Sequence, residues 1–578
     1  MTSSSRHYIP PLAAGAGRGR DVAVSAGSPV RVAVARALFT TAVATLPVRV
    51  RFPDGRLLGD GPPGAPVMIV HRPGEFFGRL GDSGLIGFGE SYMGRPDQRL
   101  HPVSPAPHGQ QGPRDGVSAA SRRPGRRRDR PRRLPKGKPM HTAVVIFTRD
   151  LRLHDNPALH LACSSARQVL PLFVADPAIT APPNRARFLA ESLAVLREEL
   201  RARRADLVIR HGDPAAEAIK LARTFNAQAV FITDDVSRYA ARRRDQLTSE
   251  CRRHRLDLIV TPGLTVVPPG DLTPAGGGHY RVFTPYWRAW RAASWRPCYP
   301  APDTIQMPAV RHAGPIPPPG HADSSGLAPG GEKAGRHRLA SWRDTQMAGY
   351  GDHHGLADTH TSRLGAYLRF GCVSPLELAL ATRDRPGGEQ FCRQLAWHDF
   401  FYQVTAQFPD IASTDYRPGP AQHLRHDRDA LQAWRAGHTG IPIVDAGMRQ
   451  LAAEGFMPNR VRMITASFLT RNLGIHWRHG YRHFGALLAD GDVACNAGNW
   501  QWVAGTGHNT RPGQVMNPLR QARRFDPAGD YVRRYVPELA GLDPARIHAP
   551  WRLDAGHHER LGYPDPLTDP QARSWAGP

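Results

Sequence analysis

With 578 residues and 40% apolar content, the chain is too long for one ordinary domain and apolar enough to bury two or three cores. It holds no apolar run long enough to span a bilayer and no apolar segment ahead of a small-residue cleavage site near Met1, so neither a membrane anchor nor a secretory signal is expected, and a cytoplasmic protein is. Cys163, Cys251, Cys298, Cys372, Cys392 and Cys495 form no CxxC pair, which argues against a disulfide framework and a zinc site, while the net charge of +26 suits a nucleic-acid partner.

Residues 1–139 hold 23 Lys/Arg against 9 Asp/Glu, more than half of the cationic surplus, in Gly/Pro/Arg-rich sequence ending in the run Ser121–Arg133. Such a segment buries too little apolar surface to offset its ordering entropy, and a disordered basic extension is expected. Met140 immediately precedes the first strand-like run, so an over-extended start is the leading reading of this segment and a DNA-binding arm the alternative.

Over 140–270 the apolar runs Ala143–Thr148, Val169–Ala175, Leu207–Arg210, Ala229–Thr233 and Leu258–Val260 alternate with helical patterns at Asn184–Arg204 and Ser237–His254. That alternation predicts an α/β domain, doubly wound on a parallel sheet. No GxGxxG follows the first strand, so a ligand of this domain binds in another way. Residues 271–335, rich in Pro and Gly around Pro315–Gly320, read as an interdomain linker. From 336 to 551 apolar residues recur at three- and four-residue spacing in Leu376–Thr382, Phe391–Gln407, Ile443–Glu454, Val461–Asn472 and Tyr481–Ala489, predicting an all-α domain. Residues 552–578 read as a tail.

The segments Thr148–Asn156, Thr361–Leu364, Gly440–Arg449, Asn459–Phe468 and Asp490–Trp502 combine carboxylates, amides and indoles with almost no candidate nucleophile. Such a set suits a protein that holds a large polar cofactor and moves electrons, rather than one that hydrolyses a bond. In this order, from about Thr142 to about Trp551, they resemble the photolyase/cryptochrome family, and within it the bacterial class I cyclobutane-dimer branch. The resemblance implies FAD in a U-shape inside the helical domain, a second light-harvesting chromophore in the α/β domain, and repair of ultraviolet-damaged DNA by a monomer.

Carried over residue by residue, Thr361, Ser362, Arg363, Leu364 and Gly365 resemble the loop around the flavin phosphates, where hydroxyls, amides and a cation suit a pyrophosphate. A helix N-cap is the plainer reading of Thr361 and Ser362. Gly365 stands where the family often has Ser. Tyr350 resembles an upstream FAD contact, and Phe391 holds a position where an aromatic packs near the cofactor or in ordinary core. Asp490, Gly491 and Asp492 resemble the acidic pair beside the ribityl and isoalloxazine, though Asp-Gly is also a turn signal. Asn496 matches the uncharged amide beside flavin N5. Trp500 and Trp477 match the proximal and middle members of the tryptophan chain that reduces photoexcited FAD. Leu424 stands where the surface-terminal tryptophan belongs, so Trp434 or Tyr416 is the substitute, or photoreduction is inefficient.

For the substrate, His354, Arg460, Arg462 and Gln521 are the candidates on the DNA side, with Trp397, Met463 and Trp502 walling an extruded lesion. Arg460 and Arg462 have an alternative in internal ion pairs or helix ends. Asn459 and Met463 resemble the cyclobutane-dimer pattern, and Pro458 and Asn459 occupy the place of the histidines of (6-4) enzymes. Gln394 replaces the usual glutamate and cannot carry a proton, and His398 replaces a common arginine. The cyclobutane dimer is favoured, because (6-4) chemistry needs a histidine acid. Ser237-Arg238 replaces the Asn-Glu pair of folate antennas, favouring 8-hydroxy-5-deazaflavin over 5,10-methenyltetrahydrofolate or an empty site. A cryptochrome-like light sensor, a (6-4) photolyase, or a flavin electron-transfer protein unrelated to DNA are the competing functions.

Overall fold

The computed structural model describes residues 140–350, 356, 361–417, 425–510 and 515–570, together with 33, 36, 37, 39–41, 43, 49–59, 67–70, 73 and 77. The chain divides into two compact units, Met1–Gly125 and Arg126–Pro578. The first unit contains a small sheet of β1 (Arg49–Arg51), β2 (Leu57–Leu58) and β3 (Val67–Ile69) in the order β2-β1-β3, with β1 antiparallel to β2 and parallel to β3. Val43, Val50, Val70 and Phe77 form its core. Over these residues the expectation of disorder is corrected. The apolar side chains that meet are scattered among Gly and Pro, so the composition of the whole segment hides them. The basic run Ser121–Arg133 lies outside the described residues.

The second unit opens with β4 (Met140–Phe147), α1 (Pro157–Ser165), β5 (Ala166–Ala175), α2 (Pro183–Arg201), β6 (Val208–His211), α3 (Pro214–Thr224), β7 (Ala229–Thr233), α4 (Arg238–Arg253) and β8 (Asp257–Thr261). The strands form one parallel sheet in the order β6-β5-β4-β7-β8, with Val145 of the central β4 in register with Pro171 and Phe231. From Thr142 to Phe147 every residue of β4 is buried, as a parallel strand covered on both faces requires. The five strands and helices α2 and α4 fall within a few residues of the expected bounds, while α1 and α3 were not among the expected helices.

Residues 271–335 are not a plain linker. Phe283–Ala292 forms helix α5, whose Phe283, Tyr286, Trp287 and Trp290 are buried at i, i+3, i+4 and i+7. The Trp290 indole donates to Asp399 Oδ2 at 2.8 Å, and Phe283 stacks on Trp397 with centroids 3.7 Å apart. The irregular segment that follows runs along the sheet: Val169 N donates to Gln306 O at 2.8 Å and Ile209 N to Ala313 O, covering edge strand β6.

The helical domain comprises α6 (Glu332–Thr345), α7 (Gly365–Phe370), α8 (Pro375–Thr382), α9 (Gly388–Gln407), α10 (Arg428–Ala436), α11 (Pro442–Glu454), α12 (Asn459–Ser467), α13 (Trp477–Leu487), α14 (Val493–Ala504), α15 (Pro518–Phe525), α16 (Asp530–Tyr535) and α17 (Ala555–Leu561). A π-helical turn, Phe468–Asn472, extends α12. The tail expected from 552 is corrected as well: α17 lies within it, and the buried Tyr563 hydroxyl donates to Asp445. No described helix is long and apolar enough to cross a membrane.

The loop Thr148–Asn156 ties the C-terminal edge of the sheet to the helices. Leu151 N donates to Phe370 O at 3.1 Å and Leu153 N to Glu332 Oε2 at 2.7 Å. Buried Arg152 donates to the carbonyls of Asp155, Gly263 and Gly371, so its charge is spread over oxygens from three segments. Gly371 has a φ of 65°, and a Cβ there would collide with the Arg149 carbonyl.

Candidate active site

Two helices of the second domain turn one face each to a common cavity. Pro458 precedes α12, and Asn459, Arg462, Met463 and Ala466 recur at i, i+3, i+4 and i+7 along one side of it; Asn496, Asn499, Trp500 and Val503 repeat that spacing on α14. Gly365, Leu368 and Arg369 of α7, Phe484 of α13, Leu488, Asp490–Asp492, Cys495, His398 of α9 and Arg149 complete the wall of this cavity.

Charge in the wall is paired across elements. Asp490 accepts two parallel bonds from Arg462, at 3.0 and 2.8 Å. Asp492 caps α14 by accepting from Cys495 N at 2.9 Å, and its other oxygen receives Arg149 and the Tyr402 hydroxyl, the latter at 3.1 Å. Burial opposes ionisation of Asp492, yet Arg149, Arg369 and His398 outweigh it and hold the carboxyl well below the usual range. Burial and the neighbouring Arg149 bring Arg369 down to about 9, while its Nε donates to Gly491 O at 3.1 Å. Burial and Asp492 push the Cys495 thiol far up, so it stands protonated. The Asn496 amide donates to Tyr481 O at 3.2 Å, which fixes an uncharged group on the wall.

Gly365 answers a close approach. A Cβ at this position would meet the Asp490 carboxylate, which Arg462 holds in place, so the serine common here in the family has no room. The rest of the expected phosphate loop turns elsewhere. The carbonyls of Thr361 and Ser362 accept from Arg338, both at 2.8 Å, and Leu364 is buried. Arg363, at a left-handed φ of 53°, pairs with Glu454 at 2.8 Å and lies over Phe456, engaged away from the cavity. Tyr350 and Phe391 pack with Trp342 in a cluster of their own, with centroids 4.8 to 5.5 Å apart.

The residues expected at DNA divide. Asn459, Met463 and His398 line the cavity. Arg462 also lines it, but the expectation that it meets DNA is corrected, because Asp490 and the Met457 carbonyl, 2.7 Å from its Nε, occupy its guanidinium. Gln394 is exposed on α9, a turn before Trp397. Arg460 lies 4.7 Å over Phe525 on the basic helix α15, where burial and Arg524 lower its pKa. Trp502 is half-buried on α14, and Gln521 buries an Oε1 without a hydrogen-bond partner among the described residues. His354 and Leu424 lie outside the described residues.

Trp500 is buried against Gly480 of α13, one turn from Trp477, and a Cβ at Gly480 would run into the Trp500 ring. Trp434 is fully buried, 6.2 Å from Trp500, and donates to Thr465 O at 3.0 Å. It therefore cannot stand in for a tryptophan at the surface. Tyr416 joins His279, through a 2.9 Å bond, and stacks on His508. In the α/β domain Ser237 caps α4, and Arg238 pairs with Asp410 of the helical domain. Sequence reasoning missed Arg149, Arg369, Cys495 and Asn499 as wall residues; helical spacing from Asn496 was the available signal for Asn499.

Residues 391–576 match the model of the FAD binding domain of DNA photolyase, and residues 143–306 match that of DNA photolyase. The fold and the cavity thus define a two-domain flavoprotein whose cofactor is FAD. Three guanidiniums, two carboxylates and three amides around an indole fit that cofactor's charged and hydrogen-bonding groups. The chain is 48% identical over 441 residues to a deoxyribodipyrimidine photo-lyase of Streptomyces griseus, covering 74% of this chain and 97% of that protein. It is 34% identical over 467 residues to a cryptochrome DASH of Gloeobacter violaceus, covering 74% and 93%. A bacterial class III photolyase of Agrobacterium tumefaciens superposes with a TM-score of 0.70 at 32% identity, covering 75% of this chain and 96% of that one. This chain belongs to the photolyase/cryptochrome family.

Proposed function

We propose that the protein is a light-dependent deoxyribodipyrimidine photo-lyase that splits cyclobutane pyrimidine dimers in ultraviolet-damaged DNA. The observation that carries this reading is the convergence of Asn459, Met463, Asp490, Asp492, Asn496 and Trp500 on one cavity. Bound FAD supplies light-driven one-electron chemistry there. Arg149, Arg369 and Asp492 hold its polar part through fixed charges. Asn496, immobilised by Tyr481 O, offers the ring system an amide without adding negative charge. Trp500, packed against Gly480 of α13, and Trp477, one turn before Gly480 on that helix, would pass an electron inward to the bound flavin.

A dimer reaches the cavity by leaving the duplex, at a cost of a few kcal/mol that damage reduces. Asn459, Met463 and His398 receive it, with Gln394 at the exposed approach. Pro458 and Asn459 occupy the place of the histidines that (6-4) chemistry uses as acid, which favours the cyclobutane dimer. Gln394 can hydrogen-bond thymine carbonyls without a proton to give, so lower repair efficiency than with a glutamate is expected. The antenna is 8-hydroxy-5-deazaflavin, supported by Ser237-Arg238 in place of Asn-Glu; the absorption spectrum of the purified protein tests it. A monomer in the cytoplasm completes the reading.

The test is incubation of the reduced protein with dimer-containing and (6-4)-containing oligonucleotides, in blue light and in the dark. Light-dependent repair of the dimer alone is expected. Product from neither lesion would leave the cryptochrome-like sensor, which the similarity to a cryptochrome DASH keeps as the second reading.

A further inference from the structure

Trp477 is 3% exposed, so an oxidised indole there has no direct route for its proton to water. Its Nε1 donates to Asp415 Oδ1 at 2.9 Å, and the Asp415 side chain is 29% exposed. The indole beside Trp500 differs: Trp434 donates to a backbone carbonyl, which cannot take a proton at neutral pH. Arg478 adds a second push, with its guanidinium carbon 5.3 Å from the Trp477 ring centroid and a nitrogen 3.6 Å from Asp415 Oδ1. A cation beside an indole is attracted while the ring is neutral. Once the ring carries a positive hole the same charge repels it, and releasing the N–H proton removes the conflict.

The geometry points to Asp415 as the proton acceptor that makes Trp477 the end of the electron route, resting on the proposed photoreduction through Trp500. One electron leaves Trp477, by way of Trp500, for the light-excited oxidised flavin. The indole N–H bond breaks, its proton bonds to Asp415 Oδ1, and a neutral indolyl radical remains on Trp477. Asp415 passes the proton to water, and a thiol reductant in solution later restores one electron and one proton to the indole. Charge recombination is slowed because the hole can return only after the proton does. Asp415 acts here through Trp477 and is a positioning residue and proton acceptor, with no contact to the lesion.

Transient absorption of the FAD-loaded, oxidised protein after a blue flash reads this directly, since protonated and deprotonated indole radicals have distinct spectra. In the unaltered protein the deprotonated spectrum persists. Asp415→Asn is expected to lose it and to show a protonated radical that decays with flavin recovery, while Asp415→Glu restores it; flavin absorbance before the flash confirms loading of each variant. A deprotonated radical in Asp415→Asn of unchanged yield and lifetime, with Trp477→Phe abolishing it, would overturn the role of Asp415 alone. An undiminished tryptophan radical in Trp477→Phe would overturn the route through Trp477 and the proposal with it.

Discussion

At Gly365 a single missing methylene decides how the cavity wall is built, because the space a side chain would take belongs to the Asp490 carboxylate. Gly365→Ser is expected to displace Asp490 from Arg462, lower flavin occupancy and cost about 1–3 kcal/mol, the range for overpacking a fitted site. Thermal unfolding and the ratio of flavin to protein absorbance check both effects. Asp492 carries a pH dependence of known sign. Its carboxyl ionises more readily in the folded chain than in the unfolded one, so its stabilising effect is present above the unfolded value near about 3.9 and disappears as pH falls below it. Asp492→Asn should reduce stability at neutral pH and flatten the acid limb of the stability curve. Denaturant titrations of both proteins between neutral pH and pH 3 measure it.

Among the elements, α13 and α14 approach closely because Gly480 carries no side chain, which seats the Trp500 ring against the helix of Trp477. Gly480→Ala would gain helix propensity, about 1 kcal/mol in a free helix, yet the methyl collides with the Trp500 ring. A net loss of about 1–3 kcal/mol is expected, together with slower photoreduction as Trp500 shifts. The pair of readouts matters: stability falls by packing alone, whereas the flash-induced rate reports the indole positions. Helix α5 shows the limit of reading an element from composition. Its aromatic stripe at i, i+3, i+4 and i+7 was legible, but Pro and Gly on either side drew the segment into a linker. The N–H of Trp290 on Asp399 shows that this helix supports α9 and therefore His398.

Across the whole second unit, Arg149 joins the two domains and the cavity at once. It leaves the end of β4, pairs with Asp235 of the α/β domain at 3.2 Å, donates to Arg369 O at 3.0 Å and to the Tyr402 hydroxyl at 2.7 Å, and meets Asp492 in the wall. Arg149→Gln removes the cation and leaves two buried carboxylates without it. A loss of about 3–5 kcal/mol is expected, the cost of breaking a buried pair from one side, with flavin released at lower denaturant than in the unaltered protein. Denaturation followed by flavin fluorescence and by circular dichroism would show whether the domains separate before the cofactor leaves.

Periodicity carried the architecture because both signals are local: strands covered on two faces need unbroken apolar runs, as in β4, and helices bordering a core need residues three and four apart, as in α12 and α14. Motif order likewise carried the family and FAD, and it named Asn459, Met463, Asp490, Asp492, Asn496 and Trp500, which the structure places along one cavity. Tertiary structure alone decided who partners whom. Arg462 and Arg363 were read as ligand contacts, yet each is engaged by a carboxylate from a distant segment, Asp490 or Glu454. Trp434 was read as an exit for electrons and is enclosed, and Asp415 beside Trp477 was not singled out at all. The reason is physical: spacing along the chain determines which face a residue occupies, whereas the charge, hydrogen bond or ring that meets it comes from another element and is set only when the two elements pack.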